Sequence, residues 1–187
     1  GLVEGADLFV MEADMSAMMN KEVMSRLLLK DETLMDLLGQ EMMTQLDKAF
    51  QLGPQLKQLN ALHPFVLSSI LTQKIAAEDP ELQSSAQSMD LLLMGMARRK
   101  GVKAAYLETA NEQLDLFLGR SMKDWVSDIG AFLDPEKHKE LRQNLRRVLN
   151  TCRLGDVAAA EKVLAEQSDE WMDQLLTRRN KDWIPKL

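Results

Sequence analysis

A chain of 187 residues, 45% hydrophobic and 28% charged, is long enough for one domain with a substantial core, short for two, and globular rather than disordered. A formal net charge of −6 argues against a general nucleic-acid binder, which needs an excess of Lys and Arg to displace counterions. A single Cys cannot close an internal disulfide, and with two His it cannot supply a standard structural zinc site, so any metal site must lean on carboxylates or on residues outside the chain.

No apolar run reaches the roughly 18 residues needed to span a bilayer. The chain opens at Gly1-Leu2-Val3-Glu4 without an initiating Met or a basic-then-apolar signal region, and so reads as an excised segment or mature fragment. Its compartment is not written in these residues.

Asp7 to Asp14 opens as a strand, an apolar run too short for a helix that ends in two carboxylates. Glu12 and Asp14 are two residues apart, so in extended chain they leave the same face. Such a pair suits metal binding or acid–base work, and equally the solvated end of a strand. From Asn20 to Gly53 the pattern is helical and methionine-rich, with Asp31 placed to cap a short helix, Gly39 to interrupt it, and Gly53-Pro54 to end it. The methionines read as core filling or as an adaptable partner-binding face.

His63-Pro64 starts a helix with Phe65, Val66, Ile70, Leu71 and Ile75 inward; His63, without a second His nearby, suits a capping or surface role rather than ligation. Asp79 to Ser88 is polar and loop-like. Met89 to Lys100 is apolar nearly all round, which predicts a helix buried on several sides.

Gly101 closes that helix, Val102 to Leu107 is short and extended in character, and Thr109-x-x-Glu112 has the capping-box spacing that opens the next helix. Glu108 therefore sits where a strand meets a helix start. Strand ends of this kind carry functional groups, although a Glu ahead of a helix is also favoured simply by the helix dipole. Strand, long helical excursion and second strand together predict a predominantly helical α+β domain, its small sheet (strands near 7–13 and 102–107) covered by many helices.

Ser121-x-x-Asp124 opens an amphipathic helix with Met122, Trp125, Val126, Ile129, Phe132 and Leu133 on one side. Asp134-Pro135 begins another, with the stripe Leu141, Leu145, Val148 and Cys152, where Cys152 reads as a small core residue rather than a nucleophile. Arg142, Arg146 and Arg147 lie off the stripe, as a solvated face or an anion-binding edge. Gly155-Asp156 turns into a helix with Val157, Ala160 and Leu164 inward. In the last segment the stripe is Met172, Leu175, Leu176 and Trp183, and at 100° per residue Arg179 falls near its middle. An arginine among core-facing residues must find an anion or snorkel to the surface, and its natural partners are Glu12, Asp14 or Glu108.

Several stretches, in this order, resemble the TraB/GumN family, which includes the Tiki proteins. They are Ala6 to Asp14, Met89-Asp90-Leu91-Leu92-Leu93 with Ala97 and Lys100-Gly101, Leu107-Glu108-Thr109 with Glu112-Gln113-Leu114, and Leu175 to Trp183. The resemblance covers most of the chain and implies a metal-dependent hydrolase, peptidase-like, acting on peptide or protein substrates in an exported or periplasmic setting. It also implies two Gly-x-x-His motifs on strands, one before Asp7 to Asp14 and one after Arg179 to Trp183. Neither is in this sequence, where His63 and His138 stand in other contexts and Ser88 replaces the family's frequent Gly.

On that resemblance residues 1–187 are the central portion of a TraB/GumN-like domain, truncated at both ends, holding no cofactor of its own and inactive in isolation, with a divalent metal belonging to the longer parent. Glu12, Glu108, Arg179 and Asn180 are what remains of the site. Glu12 would be a metal ligand or general base, and Arg179 would orient a carboxylate or stabilise developing negative charge. The competing expectation is a non-enzymatic helical binding or scaffold module. An anion or nucleic-acid binder built on Arg142 to Arg153 is opposed by the net charge.

Overall fold

The computed structural model describes residues 5–14, 16–17, 20–83, 89–166 and 170–186. The two extended stretches form a two-stranded parallel sheet, β1 (Leu8–Met11) beside β2 (Lys103–Tyr106), in the register Leu8 to Lys103 through Met11 to Tyr106. Both strands are shorter than the expected spans. Parallel strands need a crossover, and here the crossover takes up close to half of the chain: α1 (Lys21–Arg26), α2 (Leu34–Phe50), α3 (Gln55–Leu59), α4 (Pro64–Ala77), α5 (Pro80–Gln83) and α6 (Met89–Lys100). After β2 come α7 (Ala110–Leu118), α8 (Met122–Ala131), α9 (Pro135–Leu154), α10 (Val157–Glu166) and a terminal helical segment from Glu170 to Lys186. The chain is thus a predominantly helical α+β fold.

The main core lies away from the sheet, among α2, α4 and α8. Leu34, Met43, Leu46, Leu67, Leu71, Ile75 and Ile129 are all but sealed from solvent there, and Met35 and Met42 pack around them, so three of the methionines fill the core. A second, smaller cluster of Val23, Ala110 and Leu114 joins α1 to α7 beneath the C-terminal end of the sheet. It fixes the start of α7 against the chain that follows β1.

Five sequence expectations change. The cap of α2 is Thr33, in a reciprocal capping box with Asp36, and not Asp31; Gly39 does break the helical path, with a φ of 77° that favours glycine. Residues 80–83 form a short helix rather than loop, because the buried Asp79 carboxylate accepts the Glu81 N–H and closes its first turn; residues 84–88 lie outside the described residues. Helix α6 is not buried on several sides, since Leu91 and Leu92 are 49% and 52% exposed and, among its described side chains, only Ala97 is buried. The arginines of α9 are neither a free anion-binding edge nor merely solvated: Arg142 pairs with Glu78, Arg146 with Asp79 and Glu81, and Arg147 with Glu166, tying α9 to α4, α5 and α10. His63 caps α4 as expected, its Nδ1 accepting the Phe65 N–H, but it is buried rather than at the surface. The side chains of Cys152, Val157, Ala160 and Leu164 lie outside the described residues.

Candidate functional site

The sheet ladder runs on past the last paired residues. Leu107 N–H donates to the Met11 and Glu12 carbonyls, and Glu108 N–H donates to the Glu12 carbonyl at 2.8 Å. That backbone bond holds two carboxylate-bearing residues side by side at the C-terminal ends of both strands. Directly after it, Thr109 and Glu112 form the reciprocal capping box of α7, with Thr109 Oγ1 accepting the Glu112 N–H and Glu112 accepting the Thr109 N–H. Glu108 is thereby clamped between a strand end and a capped helix start.

The third member comes from the far end of the chain. The terminal segment runs as α11 (Glu170–Met172), a π-helical stretch Asp173–Arg178, α12 (Arg179–Trp183) and a closing 3₁₀ turn Ile184–Lys186. Its start is anchored by Trp171, whose indole N–H donates to the Leu116 carbonyl and whose ring packs with Phe117 and Trp125. Arg120 lies over both the Trp125 and Trp171 rings and pairs with Asp128, locking the segment onto α7 and α8. Its end is held by Lys186, whose ammonium donates to the Leu107 carbonyl. Between these anchors the wider π-helical turn rotates the following residues relative to an unbroken α-helix, a device recurrent at functional positions.

Arg179 is delivered to the strand ends. Its Nη2 donates to Glu12 Oε2 at 2.7 Å, its Nη1 is 3.7 Å from Glu108 Oε1, and its guanidinium carbon sits 4.5 Å from the centre of the Trp183 ring. The Arg179 side chain is only 11% exposed and that of Glu108 6%, whereas Glu12 remains 54% exposed. The site is therefore asymmetric, with one carboxylate inside and one at the rim, bridged by a single cation. Burial pushes the Glu108 carboxyl above its ordinary range, against the pull of the Arg179 charge; Glu12 adds to the rise and the Trp183 side chain opposes it. Glu108 Oε1 and Arg179 Nε are buried without hydrogen-bond partners among the described residues. A cleft of about 330 Å³ opens onto Glu108, Arg179 and Trp183, with Arg178, Gln174 and Lys186 also on its walls.

Two of the three partners foreseen for Arg179 are thus found, and the third is not. Asp14 accepts hydrogen bonds from the Ser16 backbone and hydroxyl, which hold its carboxyl below the usual range. One residue of turn after the strand separates its role from that of Glu12. Asn180 is exposed and outside the ion-pair cluster, because it follows Arg179 by one residue and so points about 100° around the helix.

Neither histidine is paired with this cluster. His63 caps α4 edge-on to Trp125, and His138 stacks on Phe50 with Glu78 at 3.6 Å. Among the described residues no group of three or more His, Cys, Asp and Glu is arranged to hold a metal ion. Glu12 and Glu108, with a guanidinium between them, do not make a complete donor set for a divalent cation.

Sequence reasoning passed over three contributors. Trp183 was assigned to the apolar stripe, yet its i+4 spacing from Arg179 is the spacing at which side chains on a helix meet. Gln113, whose amide nitrogen lies 3.4 Å from Glu12 Oε2, falls on the first turn of α7 and could have been placed there from the capping box. Lys186 has no local signal, since its partner is a backbone carbonyl at the end of β2. What the constellation offers chemically is a buried carboxyl of raised proton affinity and a fixed cation on one cleft, with a solvent-facing carboxylate hydrogen-bonded to that cation, which are elements of proton transfer with charge stabilisation.

None of the described helices is long and apolar enough to cross a membrane. No curated protein and no solved structure shows a significant match to the chain. The family model of TraB/PrgY/gumN, by contrast, matches residues 2–187, which is nearly the whole length. The chain belongs to the TraB/PrgY/gumN family.

Proposed function

We propose that this chain is the central, mostly helical portion of a metal-dependent, peptidase-like hydrolase, and that Glu12, Glu108 and Arg179 are its share of the reaction centre. The observation that carries the proposal is the bridging of Glu12 and Glu108 by Arg179 at the ends of two parallel strands. Bringing one cation to two carboxylates from three distant parts of the chain fixes side chains that would otherwise cost desolvation energy. Ligands, substrates and catalytic groups gather at such strand ends because the strand is rigid and the loop beyond is open.

Within this reading Glu12, exposed and hydrogen-bonded to Arg179, takes a proton from the attacking water or serves as a ligand. Glu108, whose carboxyl burial pushes toward the protonated form, is the group placed to return a proton to the leaving group. Arg179 orients the Glu12 carboxylate and stabilises negative charge that develops near it. The remaining metal donors are histidines from outside residues 1–187, as the family resemblance implies, so the isolated chain does not hydrolyse peptides.

The test compares two proteins in a peptide-hydrolysis assay with added Mn²⁺ or Zn²⁺: the 187-residue chain, and the same reading frame extended on both sides. Activity in the extended protein alone is expected. Metal-dependent hydrolysis by the 187-residue chain would overturn the division of the centre, and inactivity of both across a broad peptide mixture would overturn the enzymatic reading. The non-enzymatic alternative draws on a different observation, the exposed Leu91 and Leu92 of α6, which suit contact with a partner.

A further inference from the structure

Glu12 does more than accept a hydrogen bond from Arg179. It also lines a second cavity, of about 620 Å³, built where β1 meets α1, α6 and α7. Its described walls are apolar, with Met11, Val23, Leu93, Leu114 and Phe117 prominent, apart from two polar side chains, Glu12 and Gln113. This volume and lining are those of a small-molecule or side-chain pocket, in which apolar walls supply affinity and a few polar groups fix orientation.

These two polar groups meet through one carboxylate oxygen and leave the other open. Glu12 Oε2 accepts from both Arg179 and Gln113, while no described residue donates to Glu12 Oε1. Glu12 also places a carboxylate on an otherwise apolar wall. An occupant of matching chemistry therefore has a large apolar body and a nitrogen donor beside it, and carries no negative charge at that point.

We propose that this cavity receives a bulky apolar side chain of a peptide, Phe or Leu in size, and that the backbone N–H of that residue donates to Glu12 Oε1. The inference rests on the hydrolase reading for its occupant, because a peptide is the substrate class assigned there. It deepens that reading by giving the site a specificity pocket on the β1 side of Glu12. The peptide chain then passes Glu12 toward the Glu108–Arg179 cleft, and residues with acidic or very small side chains at the pocket position are poorly held.

The experiment is an NMR titration of the 187-residue chain, following the methyl groups of Val23 and Leu114, with acetyl-Ala-Phe-Ala-amide, acetyl-Ala-Ala-Ala-amide and acetyl-Ala-Asp-Ala-amide. The Phe peptide should shift both methyls and bind roughly tenfold or more tightly than the Ala peptide, with the Asp peptide weakest. Two variants close the cavity from its rim, Met24→Trp at a half-exposed position and Leu93→Glu on its α6 wall, and either should weaken the Phe peptide at least tenfold. Equal binding of the three peptides, or Phe-peptide binding unchanged in a folded variant, overturns the proposal. So does a concentration-dependent dimer that Met24→Trp dissolves in a chain that binds no peptide, since the occupant is then a second copy.

The two readings fail separately. If the Phe peptide binds as described but the extended, metal-supplied protein cleaves nothing, the pocket stands and the hydrolase falls. If the extended protein cleaves peptides without preference for apolar residues and Met24→Trp changes nothing, the hydrolase stands and the pocket falls.

Discussion

Arg179 and Glu12 are separated by 167 positions in sequence and joined by a 2.7 Å hydrogen bond at the C-terminal end of β1. The bond closes the fold end to end: the residue that follows the first strand is held by a residue of the last α-helix. Because Arg179 is nearly buried, its removal leaves Glu108 inside the protein without its cation. Arg179→Ala should therefore cost about 1–3 kcal/mol in chemical denaturation, below the full value for a buried pair because Glu12 is screened by solvent. Arg179→Lys should recover only part, since one ammonium cannot bridge two carboxylates as a guanidinium does. An unchanged denaturation midpoint in Arg179→Ala would remove the bridge from any structural role.

Glu108 makes stability depend on pH in a definite direction. Its folded carboxyl titrates above the ordinary value of 4.5, so the native state binds that proton more tightly than the unfolded chain does. The resulting stabilisation is complete below pH 4.5 and is lost as pH rises through the folded value. The stability of the wild-type chain relative to Glu108→Gln should fall over that rise and then level off. A difference that stays flat or grows with pH contradicts the burial argument.

His63 acts with the opposite sign. Burial lowers its folded pKa below 6.5, and its Nδ1 can cap α4 only while unprotonated. The stability it contributes is present above pH 6.5 and is lost as pH falls through the folded value. His63→Asn keeps a good capping side chain, so its melting temperature should decline less than that of the wild-type chain on acidification. Parallel declines would assign the acid sensitivity to other groups.

The capping box that follows Glu108 can be tested alone. Thr109→Ala leaves the Glu112 N–H without its acceptor and should lower unfolding free energy by about 1 kcal/mol. Restoration by Thr109→Ser would identify the hydroxyl as the cause, whereas equal loss in both variants would point to packing.

Arg120→Ala should loosen the terminal segment specifically. It removes the cation between the Trp125 and Trp171 rings, so amide exchange from 170 to 183 should quicken more than in α2 or α4. Uniform acceleration across the chain would instead show a global effect.

Local signals carried the sequence reading where one element determines its own structure. Thr109-x-x-Glu112 announced the start of α7, His63-Pro64 that of α4, and the position of Arg179 on an apolar stripe announced the need for an anion. Where distant segments decide, the sequence was less informative. Helix α6 is apolar nearly all round, but what covers a helix depends on its neighbours, and Leu91 and Leu92 are left half-exposed. Arg146 looked solvated because its partner, Asp79, lies 67 positions away beside a stretch that looked like loop. Asn180 follows Arg179 in the motif, whereas the structure leaves it exposed and outside the ion-pair cluster.

The most direct measurement is the rate of peptide hydrolysis by the extended, metal-supplied protein with Glu12→Gln, set beside its melting temperature. Because Glu12 is half-exposed, the amide should be tolerated structurally while it removes both proton acceptance and the charge that Arg179 orients. The account predicts a loss of about a hundredfold or more in rate with little change in melting temperature. A Glu12→Gln protein that hydrolyses peptides at the wild-type rate would contradict it.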